Sequence, residues 1–447
     1  MKTPICDFVR RYIDSGALRL HMPGHKGSGP LGFEAPDITE IDGADSLYSA
    51  QGIIRESEEN ASRLFGCPTF YSAEGSSHCI RAMLYLILPP TDRAGGHNGR
   101  PLILAARNAH RAFISAAALL DFDIMWLRGD DGHSYLESAV SAGTLEYALK
   151  SAPRPPAAVY ITSPDYLGNT ADIAALSAVC RRYGVPLAVD NAHGAYLHFL
   201  PKSRHPMDLG ADICCDSAHK TLPVLTGGAY LHISPHLAEL CTRAKDALLL
   251  FGSTSPSYLI LQSLDAANPY LEGYPDRLAE FLPAIRELKA QLTRQGFELA
   301  GDEELKLTVR PKSYGYTGIE LADFLAGRGI VCEFADPDFT VMMLAPETGE
   351  AGLLRLREAL ASLPRRARVL ESAPKIPEAE QVMTVRSAVF AASESLPAAE
   401  CEGRILASES VGCPPAVPIA VCGERIGAEA LRCFEYYGIT KLRVVRK

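Results

Sequence analysis

The chain has 447 residues, of which 47% are hydrophobic and 22% charged, and its formal net charge is -9. This length allows two or three domains, because a single core rarely grows beyond about 250–300 residues. The acidic balance and the lack of a basic run argue against nucleic acid as the main partner. No apolar stretch reaches the ~18 residues that a membrane span needs, and the N-terminus lacks a signal-peptide pattern, so we expect a cytoplasmic protein without membrane contact.

From residue 53 to residue 233, apolar β-prone runs alternate with segments of helical periodicity. Strands are predicted at 102–106, 123–127, 157–162, 187–190 and 213–215. Helices are predicted at 53–65, 77–88 and 171–183. Continuous apolar strands joined by helical crossovers indicate a mainly parallel sheet that is covered on both faces, which places this part of the chain in the α/β class.

The pattern changes after Gly252. Two helices, at 257–271 and 277–295, precede a short α/β pattern from 305 to 344, which indicates a second, smaller domain. The stretch SAPKIPEAEQ (372–381) is rich in Pro and Glu and is a plausible linker to a last module. We therefore divide the chain into an N-terminal segment with a large domain (1–265), a small α/β domain (266–375) and a C-terminal module (376–447).

The cysteines indicate no disulfide framework. All twelve are scattered, and none forms a C-x-x-C pair. A chain of this length does not need disulfides to be stable. We therefore expect reduced, buried thiols, including the vicinal Cys214 and Cys215 in a predicted strand, and we expect no metal site.

Polar residues follow four of the predicted strands. RNAH follows the strand at 102–106, SPDYLGN follows the strand at 157–162, and the next two strands run into DNAHGAY and DSAHK. Ligands of parallel α/β sheets bind beyond the carboxyl ends of the strands. These four segments are therefore the first place to look for a site.

Lys220 ends the DSAHK segment, between two apolar runs that are both predicted to be buried strands. A single lysine at a strand end is usually a surface residue whose amine reaches water. A lysine that forms a Schiff base must instead lose its proton near neutral pH, which partial burial favours, and such a lysine anchors pyridoxal phosphate (PLP). The residues around Lys220 decide between the two interpretations.

PLP requires three further groups from a protein. An aspartate faces the pyridine nitrogen, and Asp190 at a strand end can do so, although a turn or helix-capping aspartate is an equal alternative. A flat side chain covers the ring, and His110 is the candidate, although an isolated histidine is more often only a hydrogen-bonded polar residue. The phosphate binds N–H groups and hydroxyls at a helix start. Its candidate ligands are Gly75, Ser76, Ser77, Ser217, His219, Ser253 and Thr254.

Seven segments of the chain resemble, in order and spacing, the ornithine/lysine/arginine decarboxylases. They are HMPGHKG (21–27), RNAHRA (107–112), TSPDYLGN (162–169), DNAHGA (190–195), DSAHKTL (216–222), STSPSY (253–258) and GYTGIEL (315–321). The resemblance is to the short form without an N-terminal receiver-like domain, and it extends to CPPAVPIAVCGERI (413–426). It implies fold-type I, the aspartate aminotransferase-like architecture of PLP enzymes, with a mainly parallel seven-stranded sheet, a smaller α/β domain and a C-terminal α+β module.

The resemblance also implies roles for the candidate residues. Lys220 would bind PLP covalently, Asp190 would pair with the pyridine nitrogen, His110 would stack on the ring and His193 would lie near the phenolic oxygen. The phosphate would be bound by Gly75, Ser76, Ser77, Ser217 and His219. Ser253 or Thr254 would join it from the second subunit of a homodimer with shared active sites, and His25 would lie near the substrate entrance.

Several neighbours of these residues depart from the family pattern. Asn191 stands where short-form relatives often have glutamate, Glu74 where they often have asparagine, and Asp165 where they often have threonine. Arg111 replaces a usual lysine, and GADSLY (43–48) replaces a common double-aspartate sequence. The residues that would bind the cofactor are kept while these neighbours have changed.

The implied reaction is the PLP-dependent decarboxylation of lysine, ornithine or arginine to the amine and CO2, a step of polyamine biosynthesis. Lys220 or His219 would return a proton to Cα. The distal cation of such a substrate predicts an acidic wall, with Glu74, Asp165, Asp45 and Glu333 as candidates. Two alternatives stay open. One is another fold-type I reaction, either carbon–sulfur cleavage by a lyase or aminotransfer, in which Arg310 would clamp the substrate carboxylate. The other is a PLP-binding paralogue without activity, which the changed residues 74, 165 and 191 suggest.

Overall fold

The structure is a computed structural model, and it describes residues 1–89, 99–127, 129, 134–375, 378–408 and 415–447. In chain order its helices are α1 (Pro4–Asp14), α2 (Ile53–Phe65), α3 (Ser76–Ile87), α4 (Arg111–Leu120), α5 (Ala142–Ser151), α6 (Ile173–Tyr183), α7 (Ala218–Thr221), α8 (Ala238–Phe251), α9 (Tyr258–Glu272), α10 (Tyr274–Gln295), α11 (Gly318–Ala326), α12 (Gly349–Ala361), α13 (Val385–Phe390) and α14 (Ala428–Tyr436). Within these described ranges, no helix has both the length and the apolar character that crossing a bilayer demands.

The strands, also in chain order, are β1 (Thr69–Ser72), β2 (Leu102–Ala106), β3 (Asp123–Leu127), β4 (Ala158–Thr162), β5 (Leu187–Asp190), β6 (Ile213–Asp216), β7 (Ala229–Ile233), β8 (Glu298–Ala300), β9 (Lys306–Arg310), β10 (Phe334–Ala335), β11 (Thr340–Met343), β12 (Ser393–Pro397) and β13 (Lys441–Val445). The strands that the sequence predicts between residues 102 and 215 are all present. The last of them continues one residue further, to Asp216.

A seven-stranded sheet has the order β1–β7–β6–β5–β4–β2–β3. In it, β2 is parallel to β3 and β4, and β5 is parallel to β6, whereas β7 is antiparallel to both β6 and β1. Every residue of β2, β5, β6 and β7 is buried, which explains why these strands are continuous apolar runs. The predicted α/β class with a mainly parallel sheet is confirmed.

The chain forms two compact units. Unit 1 consists of Met1–Arg93 and Ile173–Leu278, and unit 2 consists of Ala94–Asp172 and Ala279–Lys447. In unit 1, β5 and β6 pair in register, with Asp190 opposite Cys215, so that their carboxyl ends lie side by side. Most of the predicted site residues belong to this unit.

Unit 2 contains two further sheets among its described residues. One is antiparallel with the order β10–β11–β9–β8, and the other pairs β12 with β13. The predicted α/β pattern at 305–344 corresponds to β9, α11, β10 and β11. The boundaries predicted at 265 and 375 stay a prediction, and residues 376–377 of the predicted linker and 413–414 of the proline-rich segment lie outside the described residues.

Eleven of the twelve cysteines lie in the described residues. Eight of them are buried, including Cys214 and Cys215 in β6. Their sulfur atoms fill the apolar interior as small hydrophobic groups. The expectation of buried thiols therefore applies to most of them.

Candidate active site

Lys220 lies in α7, a single helical turn between β6 and β7. Asp216 ends β6 and Ser217 precedes the turn, and the Lys220 backbone N–H donates to the Ser217 carbonyl at 3.0 Å. The lysine side chain is half-buried, and its Nζ lies 3.0 Å from His193 Nε2. The fold therefore places this amine beside an imidazole and partly shields it from water.

The turn after β5 carries Asp190 and His193, and both side chains are buried. Asp190 is only 2% exposed, and its Oδ1 accepts from the Ala192 backbone N–H at 3.1 Å. The Cys215 thiol lies 3.8 Å from the same oxygen. The pairing of β5 with β6 thus brings the turn with Asp190 and His193 next to the turn with Lys220.

Gly75, Ser76 and Ser217 bring anion-binding groups together. Ser76 begins α3, and its hydroxyl accepts from the Ser217 hydroxyl at 2.6 Å. Gly75 has a φ of 75°, and a Cβ there would come within 3.9 Å of His219 Cε1. The first N–H groups of α3 have no acceptor within the helix. Together these groups form a cradle of the kind that binds phosphate.

His219 is held through one ring nitrogen. Its Nδ1 donates to the Gly228 carbonyl at 3.0 Å, since a carbonyl oxygen can only accept. Burial lowers the pKa of His219, and the imidazole is therefore neutral at neutral pH. In this form Nε2 has a lone pair and can accept a proton.

Glu74 fixes the loop that carries Ser253 and Thr254. Its Oε1 accepts from the Ser253 backbone N–H at 2.5 Å, and all three side chains are exposed. Gly252 packs so closely that a Cβ there would come 2.9 Å from His78 Nε2. The loop at 252–254 therefore lies against the start of α3 in the same chain, and Glu74, a candidate substrate residue, orders that loop.

Unit 2 contains the predicted site residues His110 and Asp165. His110 precedes α4, and its Nδ1 accepts from the Ala112 backbone N–H at 3.1 Å. Asp165 is 4% exposed: its Oδ1 accepts from the backbone N–H groups of Leu167 and Asn169, both at 2.9 Å, and its Oδ2 accepts from the Asn169 side chain at 2.8 Å. Both oxygens of Asp165 thus hold its own loop.

The Asp165→Asn variant should gain stability relative to the unchanged protein as the pH rises. Burial raises the pKa of Asp165 from 3.8 to about 6, so folding takes up a proton between these values and the carboxyl loses its stabilising contribution as pH rises through 6. A neutral amide avoids this loss and can still accept from the backbone N–H groups of Leu167 and Asn169. The difference should grow by ~1.4 kcal/mol between about pH 5 and pH 8, because about one pKa unit of the shift lies within this range.

Urea unfolding of both proteins across this pH range measures the effect. The Asp165→Ala variant is the control, because it removes the loop acceptor and should be destabilised at every pH. Parallel stability curves for Asp165→Asn and the unchanged protein would contradict the raised pKa.

Two candidate residues order the N-terminal part of unit 1. His25 Nε2 lies 3.2 Å from Asp37 Oδ2. Asp45 accepts from four backbone N–H groups within residues 46–54 at 2.8–3.0 Å. Although burial opposes it, these donors hold the pKa of Asp45 below its usual value. Asp45 therefore stays ionised as part of the local backbone structure.

The last two candidates, Glu333 and Arg310, belong to unit 2 and have partners there. Glu333 accepts from the Tyr166 hydroxyl at 2.7 Å. Arg310 donates to Glu137 at 3.0 Å and lies over the Phe339 ring, with 5.3 Å from its Cζ to the ring centroid. The guanidinium that would clamp a substrate carboxylate in an aminotransferase is therefore already paired with a carboxylate.

The sequence interpretation missed a buried cluster next to the turn after β5. Asp216 Oδ2 lies 3.0 Å from His205 Nε2 and 3.1 Å from His232 Nε2, while Asp216 Oδ1 accepts from Asn191 Nδ2 at 2.7 Å. Burial alone would raise the pKa of Asp216, but the two imidazoles hold it well below its usual value. The available signals were an aspartate at the end of an apolar strand and a histidine inside the apolar β7.

The sequence matches the profile of the family described as "Orn/Lys/Arg decarboxylase, major domain" over residues 3–311. The chain belongs to this family. The Orn/Lys/Arg decarboxylase family consists of PLP-dependent enzymes, so the predicted cofactor and the predicted decarboxylation of a basic amino acid are both confirmed.

Three relatives of this Orn/Lys/Arg decarboxylase match almost the whole of its chain. An uncharacterized protein of Bacillus subtilis, YaaO, is 29% identical over 97% of this chain and 93% of its own length. The arginine decarboxylase of the same organism is 28% identical, with 96% and 92% covered. The arginine decarboxylase of Halalkalibacterium halodurans is also 28% identical, with 95% and 91% covered.

Solved structures show that this Orn/Lys/Arg decarboxylase has the fold-type I architecture. The lysine decarboxylase of Francisella novicida superposes with a TM-score of 0.82 at 17% identity, covering 99% of this chain and 81% of that one. The constitutive lysine decarboxylase of E. coli gives a TM-score of 0.76 at 17% identity, with 100% and 82% covered. The aspartate aminotransferase-like fold predicted from the sequence is confirmed.

Proposed function

We propose that the protein is an arginine decarboxylase that acts in the cytoplasm and supplies an amine for polyamine biosynthesis. The observation that carries this choice of substrate is the match, over 96% of the chain, to an arginine decarboxylase at 28% identity. Three further arginine decarboxylases match over 95–97% of the chain. The lysine decarboxylases among the solved structures are 17% identical and support the fold only.

The residues of unit 1 fit PLP. The Ser76–Ser217 hydroxyl pair and the first turn of α3 suit its phosphate, and the half-buried amine of Lys220 suits its aldehyde. The buried carboxylate of Asp190 suits a protonated pyridine nitrogen, because a buried charge is stable when it is paired with its opposite. When bound, PLP supplies an electron sink for the charge that departing CO2 leaves on Cα.

Lys220 is the proposed attachment point, and its neighbours would manage its proton. His193 Nε2, 3.0 Å from Lys220 Nζ, can take the proton that the amine must lose before it reacts. His219 is neutral and presents Nε2 as a second acceptor. Either Lys220 or His219 would return the proton to Cα of the product.

The remaining residues keep proposed roles that the family resemblance assigns. His110 would stack on the pyridine ring, and His25 would lie near the substrate entrance. Gly75, Ser77 and one of Ser253 and Thr254 would complete the phosphate site. Glu74 and Asp165 would act on the substrate through the loops that they hold, because each carboxylate already accepts hydrogen bonds from a backbone segment.

A homodimer is also part of this proposal. Large apolar side chains are exposed close together in the N-terminal segment, among them Leu18 and Leu20, both 82% exposed. Met22, Leu31 and Phe33 in the same segment are exposed as well. Large apolar side chains exposed in one short segment suggest a surface that a second subunit covers. A monomer in light scattering at assay concentration would contradict the dimer.

An amino-acid panel tests the function. Purified protein loaded with PLP is incubated separately with arginine, lysine and ornithine, and CO2 and the amine are measured. We expect arginine to give the highest kcat/KM. A higher value for lysine or ornithine would overturn the proposed substrate, and keto acid in place of amine would reveal aminotransfer, which the pairing of Arg310 with Glu137 argues against.

A protein that binds PLP but converts none of the amino acids would favour the paralogue without activity. A second panel, with neutral and acidic amino acids at the same concentrations, is the comparison for the basic amino acids. Turnover there but not with the basic amino acids would place the substrate outside the expected class.

A further inference from the structure

Asp216, His205 and His232 form a fully buried cluster beside the turn after β5. Their side chains are all 0% exposed, and both imidazoles meet the same carboxylate oxygen, at 3.0 and 3.1 Å. An ionised carboxylate only accepts hydrogen bonds, so both Nε2 atoms carry protons that point at Asp216. Those protons occupy the positions that a metal ion would need, and the three residues therefore act as a hydrogen-bonded unit.

The far side of each imidazole is fixed as well. The Met207 backbone N–H donates to His205 Nδ1 at 3.3 Å, which places the single proton of a neutral His205 on Nε2. His232 Nδ1 lies 2.9 Å from the Thr69 hydroxyl. Asp216 is thus held at Oδ2 by two side chains that are themselves anchored, and its orientation is set.

The other oxygen of Asp216 holds Asn191. Asn191 is 0% exposed and donates from Nδ2 to Asp216 Oδ1 at 2.7 Å, while its backbone N–H donates to the Cys215 carbonyl at 3.0 Å. The Asn191 carbonyl accepts from the Gly194 N–H at 2.8 Å, and a Cβ at Gly194 would overlap the Asn191 amide. The turn from 190 to 194 is therefore built around this one side chain.

We propose that Asp216 is a positioning residue of the cofactor site, which orients Asp190 and His193 through Asn191. The inference rests on the proposed function, because that function assigns Asp190 to the pyridine nitrogen and His193 to the proton of Lys220. It also gives a physical reason for Asn191. A glutamate, which short-form relatives often have there, would bring a second carboxylate against Asp216, whereas the asparagine amide donates to it.

Exchanging the two side chains tests the inference. The Asn191→Asp variant puts two carboxylates face to face, and the Asp216→Asn variant removes the charge that the imidazoles and the amide hold. In the Asn191→Asp/Asp216→Asn double variant, the new amide at position 216 can donate to the new carboxylate at 191 and accept from both imidazoles with its oxygen. The hydrogen bond between the two residues is then restored, and the negative charge lies at position 191 instead of 216.

The measurements are the PLP dissociation constant from titration of the apoprotein, kcat and KM for the preferred amino acid, and urea unfolding. Each single variant should bind PLP roughly tenfold to hundredfold more weakly and lose kcat by a similar factor, the size expected for a buried hydrogen bond to a charged group. The double variant should recover most of both losses. KM should change less than kcat, because the substrate's own contacts are intact.

Asn268→Asp is the matched control. Asn268 is also 0% exposed in unit 1 and donates to the Ser57 carbonyl and the Tyr71 hydroxyl. The Asn268→Asp variant places a carboxylate in the interior but not in the turn at 190–194. It should therefore lower the free energy of unfolding, while the folded fraction binds PLP as before. If the single variants behave like this control, with lower stability but unchanged PLP affinity and kcat of the folded fraction, Asp216 has only a structural role and the inference is overturned.

A double variant no better than the worse single variant would also overturn it, because the pair would then not be coupled. If a single variant does not fold, comparing the double variant with the unchanged protein still tests the inference. Full loss of PLP affinity in a folded double variant contradicts it.

Failure of the proposed function would give a different result. The unchanged protein would then be inactive on all basic amino acids, while its PLP titration and the recovery in the double variant would still report on positioning.

Discussion

Replacing Lys220 by alanine is expected to abolish decarboxylation and to remove the visible absorption band of lysine-bound PLP. The amine is the only group of this side chain that can bond to the aldehyde, and it lies 3.0 Å from His193 Nε2, where its proton can be taken up. The proposed proton transfer to Cα would be lost as well. Activity should fall by at least ~10²–10⁴-fold, the range that a positioned proton-transfer group contributes.

The measurement combines an absorption spectrum with single-turnover and steady-state assays. Lys202→Ala is the control, because Lys202 is an exposed lysine of the same unit, and it should leave both spectrum and kcat unchanged. A Lys220→Ala protein that keeps the absorption band and normal turnover would show that another residue carries PLP. The proposed attachment of PLP to Lys220 would then be wrong.

Replacing Asp190 by asparagine should lower kcat by roughly 10²–10³-fold, the loss seen when one preorganised electrostatic group is removed. The amide oxygen can still accept from the Ala192 backbone N–H, which Asp190 Oδ1 does at 3.1 Å, so the turn should keep its shape. What is lost is the negative charge that would hold a proton on the pyridine nitrogen. PLP should still bind, though more weakly.

Asp212→Asn provides the comparison for Asp190→Asn. Asp212 directly precedes β6, at the opposite end of the strand from Lys220, and its Oδ2 accepts from the Leu187 backbone N–H at 2.7 Å. This variant should change stability slightly and leave kcat as it is. An Asp190→Asn enzyme with kcat within a few-fold of the unchanged protein would remove Asp190 from the mechanism.

The sheet strands could be predicted from the sequence because burial on both faces leaves a plain signal. β5 and β6 are continuous apolar runs, and each ends in a polar residue where the sheet edge meets the site. β1 was not predicted, because its place is fixed by antiparallel pairing with β7, which is distant in sequence. Local pattern carries no information on such pairing.

Candidate site residues could be predicted from the sequence where they belong to one motif, but not where side chains from distant segments meet. Lys220 and Asp190 were predicted from strand ends and family resemblance, and the pairing of β5 with β6 brings their turns together. The hydrogen bond between Asn191 and Asp216 joins residues 25 positions apart, and the two histidines of the cluster come from a loop and from an apolar strand. Asp165 and Glu74 had the right residue type for a substrate wall, but only the structure shows that backbone N–H groups already engage them.

The buried thiols have a practical consequence. Burial raises the pKa values of Cys67, Cys79 and Cys180 to about 12, so the reactive thiolate is scarce at neutral pH and alkylating reagents reach these sulfurs only when the surrounding structure opens. The rates at which these three cysteines are alkylated therefore measure local opening of unit 1. Because Cys401 and Cys433 are buried in unit 2, the native cysteines report on opening in both units without any engineered probe.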